Sequence, residues 1–399
     1  MKQENRAWAE INLDSIEYNI KAIRDYVKPE TQILGIVKAD AYGHGYLEVA
    51  RTLLENGADA LAVACVDEAV QLRRCMFDCP ILILGHSSTD EAETLVKEDV
   101  MPACFDIELA RAISDSAVKQ NKTAKIHIKI DTGMGRVGYR YADDLAANEK
   151  SIAEILKIAA LPNIEINGIF THFSVADDDD DEYTYLQYNR FCEICDKLKQ
   201  NGLDIPIRHC CNSAALIRFP EMHLDMVRPG IILYGLNPSG YVDGSKLGLK
   251  PAMSFKARIT NLKTLEKGSS ISYGRNFITE HESRIATIPV GYADGYSRIL
   301  SGRAQAIAGG KLCNLVGNIC MDQCMIDVTS VNNIAVGDEV ILFGGGDNIE
   351  LPVESLAEKM GTINYEILCM IGKRIPRIYT KCGVVQTTHN YLLDSPVAE

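Results

Sequence analysis

The sequence predicts an α/β protein with an N-terminal (β/α)8 barrel of the TIM type and a C-terminal, mainly β domain. Three observations carry that expectation. Apolar runs alternate with helix-period segments through eight rounds in roughly 230 residues, which suits a closed parallel barrel better than a doubly wound sheet. From about residue 249 the texture changes to short strand-like runs parted by glycine turns. At 399 residues the chain is also too long for one ordinary core. The expected division is 1–246 for the barrel and 247–399 for the β-rich domain.

Taken in order, 8–13 alternates like a strand, and Asp14-Ser15 offers an N-cap for a helix with apolar positions Ile16, Ile20, Ile23 and Val27. Residues 33–37 read as a buried strand ending on Lys38, before a small-residue turn with Gly43 and Gly45 and a helix at 46–55. The pattern repeats as strand 60–63 and helix 67–75, strand 81–85 and helix 89–97, strand 101–105 and helix 106–120. It continues with 126–130 and 145–160, 164–170 and 183–198, 207–210 and 213–219, and a last short round at 226–227 and 230–234. In the second domain, 253–265, 270–273, 285–290, 312–316, 325–328 and 339–343 read as strands and only 353–360 as helix.

Composition limits the function. Hydrophobic content of 47% and charged content of 24% are those of a soluble globular protein. A net charge of −13 repels nucleic acid. The longest apolar run, 80–85, is far too short to span a membrane, and residues 1–6 contain no apolar signal region. Thirteen cysteines without a repeating framework point to reduced thiols, hence to the cytoplasm. The acidic run 177–182 reads as a solvated loop entering a helix, Cys320 and Cys324 as packing thiols, and Gly344-Gly345-Gly346 as a turn. No metal site is expected.

The chemistry gathers at strand ends. Lys38 ends a core strand, where a lysine can reach a bound ligand and condense with an aldehyde as a Schiff base; the bland alternative is a snorkelling surface lysine. The loop from Lys129 through Arg136 to Gly138 carries three glycines and two cations, which imply an anionic ligand. His172 follows another strand, and Asn212-Ser213 opens a helix whose free N–H groups suit a phosphate or a simple cap. Arg228-Pro229-Gly230-Ile231 lies on a late barrel loop, where such folds commonly hold phosphate.

The nine residues Val37-Lys38-Ala39-Asp40-Ala41-Tyr42-Gly43-His44-Gly45 resemble the pyridoxal-phosphate lysine segment of alanine racemases. The Arg136 loop, the segments 209–215 and 227–231, Ser272-Tyr273-Gly274, 288–295, 318–325 and 363–366 match further motifs in the family's order, over nearly the whole chain. The resemblance implies interconversion of L- and D-alanine by two bases on pyridoxal 5'-phosphate, supplying D-alanine for peptidoglycan. Lys38 and Tyr273 would be those bases, because racemisation removes a proton from one face of Cα and returns it to the other. Tyr42, Arg136, His172, Asn212, Ser213, Arg228, Gly230, Ile231 and Tyr365 would bind the cofactor with Lys38, and Arg136 and Met321 the substrate carboxylate. Lys129, a position often carbamylated in the family, would orient Arg136; His209 would support Arg228, and Asp322 stands behind the substrate contacts. Tyr292 and Arg298 match entrance residues, while Asn318 departs from the arginine that many members carry there. Tyr365 favours alanine, since serine-preferring relatives depart at that position. The family also implies a homodimer whose active sites are shared between subunits.

Three alternatives stand beside this reading. A racemase of serine or a wider range of small amino acids keeps the chemistry, and membrane-anchored serine racemases carry an N-terminal transmembrane region that this sequence lacks. A pyridoxal-phosphate homeostasis protein has the barrel alone. A barrel-type decarboxylase disagrees with an arginine at the cofactor's ring nitrogen.

Overall fold

In the computed structural model the described residues are 5–345 and 349–394, so Gly346 of the triple-glycine turn and residues 1–4 lie outside them. The chain divides into two compact units, 16–41 with 46–250, and 1–15 with 42–45 and 251–399.

The first unit is a nearly closed parallel barrel. Its strands are Gln32–Ile36, Ala60–Val63, Ile81–Ile83, Met101–Cys104, Ala124–Asp131, Ile164–Phe170, Ile207–His209 and Met226–Val227. Each of the first seven pairs with its neighbour in that order, and Met226–Val227 pairs back onto Gln32–Ile36. Between the last two strands the ladder is replaced by bonds from Asp225 N–H to the Arg208 carbonyl and from Arg228 N–H to the Cys211 carbonyl, both 3.1 Å. The strand residues Ile33, Leu61, Ala62, Ile81, Leu82, Ile128 and Ile169 are fully buried. Burial on both faces is what near-continuous apolar runs require, and each large aliphatic contributes roughly 2 kcal/mol. The run 177–182 enters the helix Asp181–Gln200, with the Asp180 carboxylate accepting from Tyr183 N–H at 3.0 Å.

The second unit corrects the expected 246/247 cut at the N-terminus. The strand Ala7–Asn12 is not a barrel strand. It runs antiparallel to Met253–Arg258 and parallel to Arg377–Lys381, inside a sheet built otherwise from the C-terminal part of the chain. Alternation announced a strand there but could not name its neighbours. The expected cap also moves: Asn12 Oδ1 accepts from Ser15 N–H at 3.2 Å, so Asp14 and Ser15 lie within the first turn of helix Leu13–Tyr26.

Two further expectations change. The run 253–265 breaks at Ile259 and Thr260 into Met253–Arg258 and Asn261–Leu265, the latter in a separate sheet with Ser283–Ile288 and Cys324–Asp327. A second helix, Asn364–Met370, stands beside Val353–Met360. Its seven residues are too few for a 3.6-residue period to declare itself.

Candidate active site

Lys38 lies just past the end of Gln32–Ile36, and the backbone behind it is unusual. Ala39, Asp40, Ala41 and Tyr42 all have φ between 52° and 55°, four consecutive left-handed residues without a glycine. Each costs about 1–2 kcal/mol, so neighbouring groups must hold the turn. Ala41 N–H donates to the Val37 carbonyl at 2.9 Å, Tyr46 N–H to Asp40 Oδ1 at 2.9 Å, and Ala39 N–H to Glu68 Oε1 at 2.6 Å.

The strands are parallel, so Lys38, Lys129, His172, Asn212, Ser213 and Arg228 all fall at one end of the barrel. Arg228 is buried there with no carboxylate partner among the described residues. Its guanidinium donates to His209 Nδ1 (3.1 Å), the carbonyls of Thr171 (2.8 Å) and Cys210 (3.0 Å), and His172 Nδ1 (3.3 Å). Arginine only donates, so both Nδ1 atoms must accept. The proton of His209 then sits on Nε2 and is donated to His127 Nδ1 at 3.0 Å, which leaves His127 to donate from Nε2 to Asn167 Oδ1 at 3.4 Å. The chain of bonds runs one way from the guanidinium, and both imidazoles are neutral.

Electrostatics agree with that assignment. Burial first, and then the charge on Arg228, hold His172 and His209 well below the usual imidazole range. Burial likewise pushes His127 down to about 4, against the opposing bond to Asn167. It lowers Arg228 only to about 10, so the guanidinium stays cationic at neutral pH. His172 also feels the charges of Lys129, Arg136 and Lys38, so with Arg228 four cations from three strand ends converge on one region.

Lys129 is buried over the Phe170 ring at 4.7 Å, and its Nζ has no hydrogen-bond partner among the described residues. Burial, then Arg228 and Arg136, keep its pKa well below that of an ordinary lysine. The Arg136 loop is held from within by Asp131 Oδ1, which accepts from Gly133 and Gly135 N–H at 3.0 Å each. Helix Asp181–Gln200 holds it from outside, through Tyr183 Oη on the Gly133 carbonyl and Gln187 on Thr132 and the His172 carbonyl. At the neighbouring strand ends Gly230 N–H donates to Ser213 Oγ at 2.8 Å, and Asn212 Oδ1 caps its helix at Ala215 N–H. Ile231 opens the short 3-10 turn Ile231–Tyr234.

The remaining expected residues lie in the second unit. Tyr273 is not on a strand but in the turn between Ser270–Ile271 and Phe277–Ile278, 71% exposed. Ser272 before it has φ 66° and ψ −176°, a region that only glycine occupies without strain. Asn318 braces this turn: its Nδ2 donates to the Tyr273 carbonyl at 2.7 Å, and its own carbonyl accepts from Ser272 Oγ at 2.6 Å. The departure at Asn318 thus has a backbone role. Met321, Tyr292 and Arg298 are exposed, and Asp322 pairs with Arg374 at 2.7 Å. Tyr365 lies on the unexpected helix Asn364–Met370, its ring 5.9 Å from that of Tyr42.

Sequence reasoning missed His127, Asn167, Glu68 and Gln187. His127 alternates with Lys129 along its strand and carried the only available signal, a histidine within a buried run.

A parallel barrel that gathers Lys38, Lys129, Arg136 and buried Arg228 at one rim is the build of an enzyme acting on an anionic ligand. Comparison with known proteins narrows the class to amino-acid racemases, which are isomerases. Residues 11–238 match the model of the alanine racemase N-terminal domain, and 252–379 that of the alanine racemase C-terminal domain. The chain is 50% identical over 386 residues to the alanine racemase of Clostridium tetani, covering 96% of this chain and 98% of that one. It resembles the solved alanine racemase of Clostridium difficile 630 at a TM-score of 0.93 and 41% identity, over 98% of this chain and 100% of that one. A histidine racemase from Leuconostoc mesenteroides matches at 0.85 and 28%, over 95% and 99%. The chain belongs to the alanine racemase family.

Proposed function

We propose that the chain racemises alanine with pyridoxal 5'-phosphate, using Lys38 and Tyr273 as opposed bases. The observation that carries this reading is the buried Arg228, which faces the barrel end with donors alone among neutral histidines. The residues present fit the cofactor. Ser213 and the Gly230–Ile231 backbone would hold its phosphate, His172 would lie with its ring, and Lys38 would meet its aldehyde. When bound, the cofactor draws electrons from Cα and so makes the Cα proton removable.

The protein's own groups select the outcome. Arg228 cannot accept a proton, so a ring nitrogen held beside it would stay unprotonated and draw electrons less strongly. The site therefore favours immediate return of the Cα proton over decarboxylation or transamination. Lys38 would hold or deliver a proton on one face of Cα, and Tyr273 on the other. A phenol needs a cationic neighbourhood for that task, and Arg136, which would also meet the substrate carboxylate, would supply one. Lys129, whose Nζ has no hydrogen-bond partner among the described residues and whose pKa burial and the charges of Arg228 and Arg136 hold well below that of an ordinary lysine, is suited to add carbon dioxide with loss of a proton; the carbamate anion would then pair with Arg136.

Family resemblance and the exposure of Tyr273 support a homodimer in which the barrel of one subunit receives Tyr273 of the other. Thirteen free cysteines support a reducing cytoplasm, where the product would supply peptidoglycan synthesis. No helix among the described residues is long and apolar enough to cross a membrane.

The test is incubation of L-alanine with the protein and pyridoxal phosphate, followed by chiral chromatography. Equal amounts of the two enantiomers are expected, and an unchanged L-alanine pool would overturn the reading. The histidine racemase resemblance favours a second reading with a wider substrate range. Tyr365 argues for alanine, and Tyr365→Asn should raise the serine-to-alanine ratio of kcat/KM roughly tenfold. An unchanged ratio refutes that role.

A further inference from the structure

Glu68 has no role in the proton transfer and cofactor binding proposed above, yet it touches the segment that carries Lys38. It is the third residue of helix Val66–Arg74, the helix that follows strand Ala60–Val63. A carboxylate at that position commonly caps its own helix. Here the two oxygens separate. Oε2 accepts from Ala64 N–H at 2.7 Å, at the end of its own strand, and Oε1 accepts from Ala39 N–H at 2.6 Å, on the neighbouring strand. Both distances are in the short range of charge-assisted bonds.

Ala39 follows Lys38 and opens the left-handed turn, so its N–H is where the chain leaves the straight path of the strand. Val37 is still laddered, its N–H on the Ala62 carbonyl at 2.9 Å. Lys38 is therefore clamped on both sides to the neighbouring strand, by a ladder bond before it and by Glu68 after it. A turn that costs several kcal/mol in backbone strain persists only where its surroundings over-determine it. Glu68 supplies a polar anchor directly beside the lysine.

We propose that Glu68 is a positioning residue for Lys38: its carboxylate ties the Ala39 amide to the end of strand Ala60–Val63 and so fixes where the lysine stem leaves the barrel wall. The proposal rests on the reading of Lys38 as the covalent lysine. In Glu68→Gln one of the two amides meets an NH2 donor and loses its acceptor; in Glu68→Ala both lose theirs.

Amide hydrogen exchange, cofactor loading and kinetics test it together. In the wild-type holoenzyme and apoprotein the Ala39 amide should be protected although it belongs to no ladder. In both variants, exchange over 37–42 should accelerate at least ~tenfold, while helix Ile107–Lys119 stays unchanged. The rate at which borohydride traps pyridoxal phosphate on Lys38 should fall, and kcat for alanine should drop ~10–100-fold with KM within ~threefold. Glu68→Gln should lie between wild type and Glu68→Ala. If Glu68→Ala does not fold, wild-type protection and Glu68→Gln decide. An unprotected Ala39 amide in wild type overturns the proposal, as does unchanged exchange in a variant. Faster exchange with loading and kcat intact also overturns it, since the contact then serves only the helix. Borohydride label on a lysine other than Lys38 in wild type would instead defeat the underlying reading, and the proposal with it.

Discussion

Arg228 shows how one buried cation sets the states of its neighbours. Three histidines lie within reach of its charge, and each is neutral because burial and that charge act in the same direction. For His127 the consequence is measurable. Its pKa falls from 6.5 in the unfolded chain to about 4 in the folded one. Between those values the unfolded chain binds a proton that the native state refuses, so this contribution to stability is complete above pH 6.5 and lost as pH falls towards 4. The loss is about 3 kcal/mol. His127→Gln removes the titrating group, so its stability measured by urea unfolding should fall less than that of wild type between about pH 7 and about pH 4. Equal losses would show that His127 is protonated in the native protein. Arg228→Glu tests the same cluster from the side of chemistry. A carboxylate would let the ring nitrogen hold a proton, and pyruvate formed per D-alanine should rise at least ~tenfold. A constant ratio would contradict the role given to the guanidinium.

At the scale of elements, the turn after Lys38 separates what a sequence can reveal from what it hides. The strand before the lysine and the glycines after it were legible, because burial leaves apolar runs and tight turns leave glycine. Four left-handed non-glycine residues were not, since alanine and tyrosine carry no mark of that conformation and the bond at its start comes from Glu68, distant in sequence. The strand Ala7–Asn12 was legible as a strand, but the division at 246/247 left it in the barrel domain, because pairing partners hundreds of residues away leave no local trace. Tyr365 was found by motif, while its short helix was not. The relay through His127 and Asn167 was invisible for a related reason: a chain of neutral side chains exists only once separate strands have come together.

The turn also yields a pair of opposite predictions. Ala39→Gly relieves about 1–2 kcal/mol of strain and adds at most about 1 kcal/mol of chain entropy, so thermal stability should hold or rise slightly. Gly43→Ala does the reverse: at φ +79° its Cβ would run into the Leu368 carbonyl oxygen. A loss of more than about 2 kcal/mol is expected. Calorimetry that finds Ala39→Gly markedly destabilised would show that the turn is not left-handed in solution.

At the scale of the whole molecule, the two proposed bases stand in different units of the chain, and the question is which copy of the protein supplies each. Tyr273 sits exposed on a strained turn braced by Asn318, a posture suited to meeting something outside its own unit. In a dimer with two-fold symmetry, one tyrosine crossing over requires the other to do the same. Lys38→Ala and Tyr273→Phe should each be inactive alone. When the two are co-refolded at equal concentration, half the dimers are mixed, and each mixed dimer holds one site with both groups intact and one with neither. Racemase activity of the mixture, measured against each variant refolded alone, should then recover to about a quarter of wild type. No recovery, with mixed dimers demonstrated by mass spectrometry, would contradict two bases meeting across subunits.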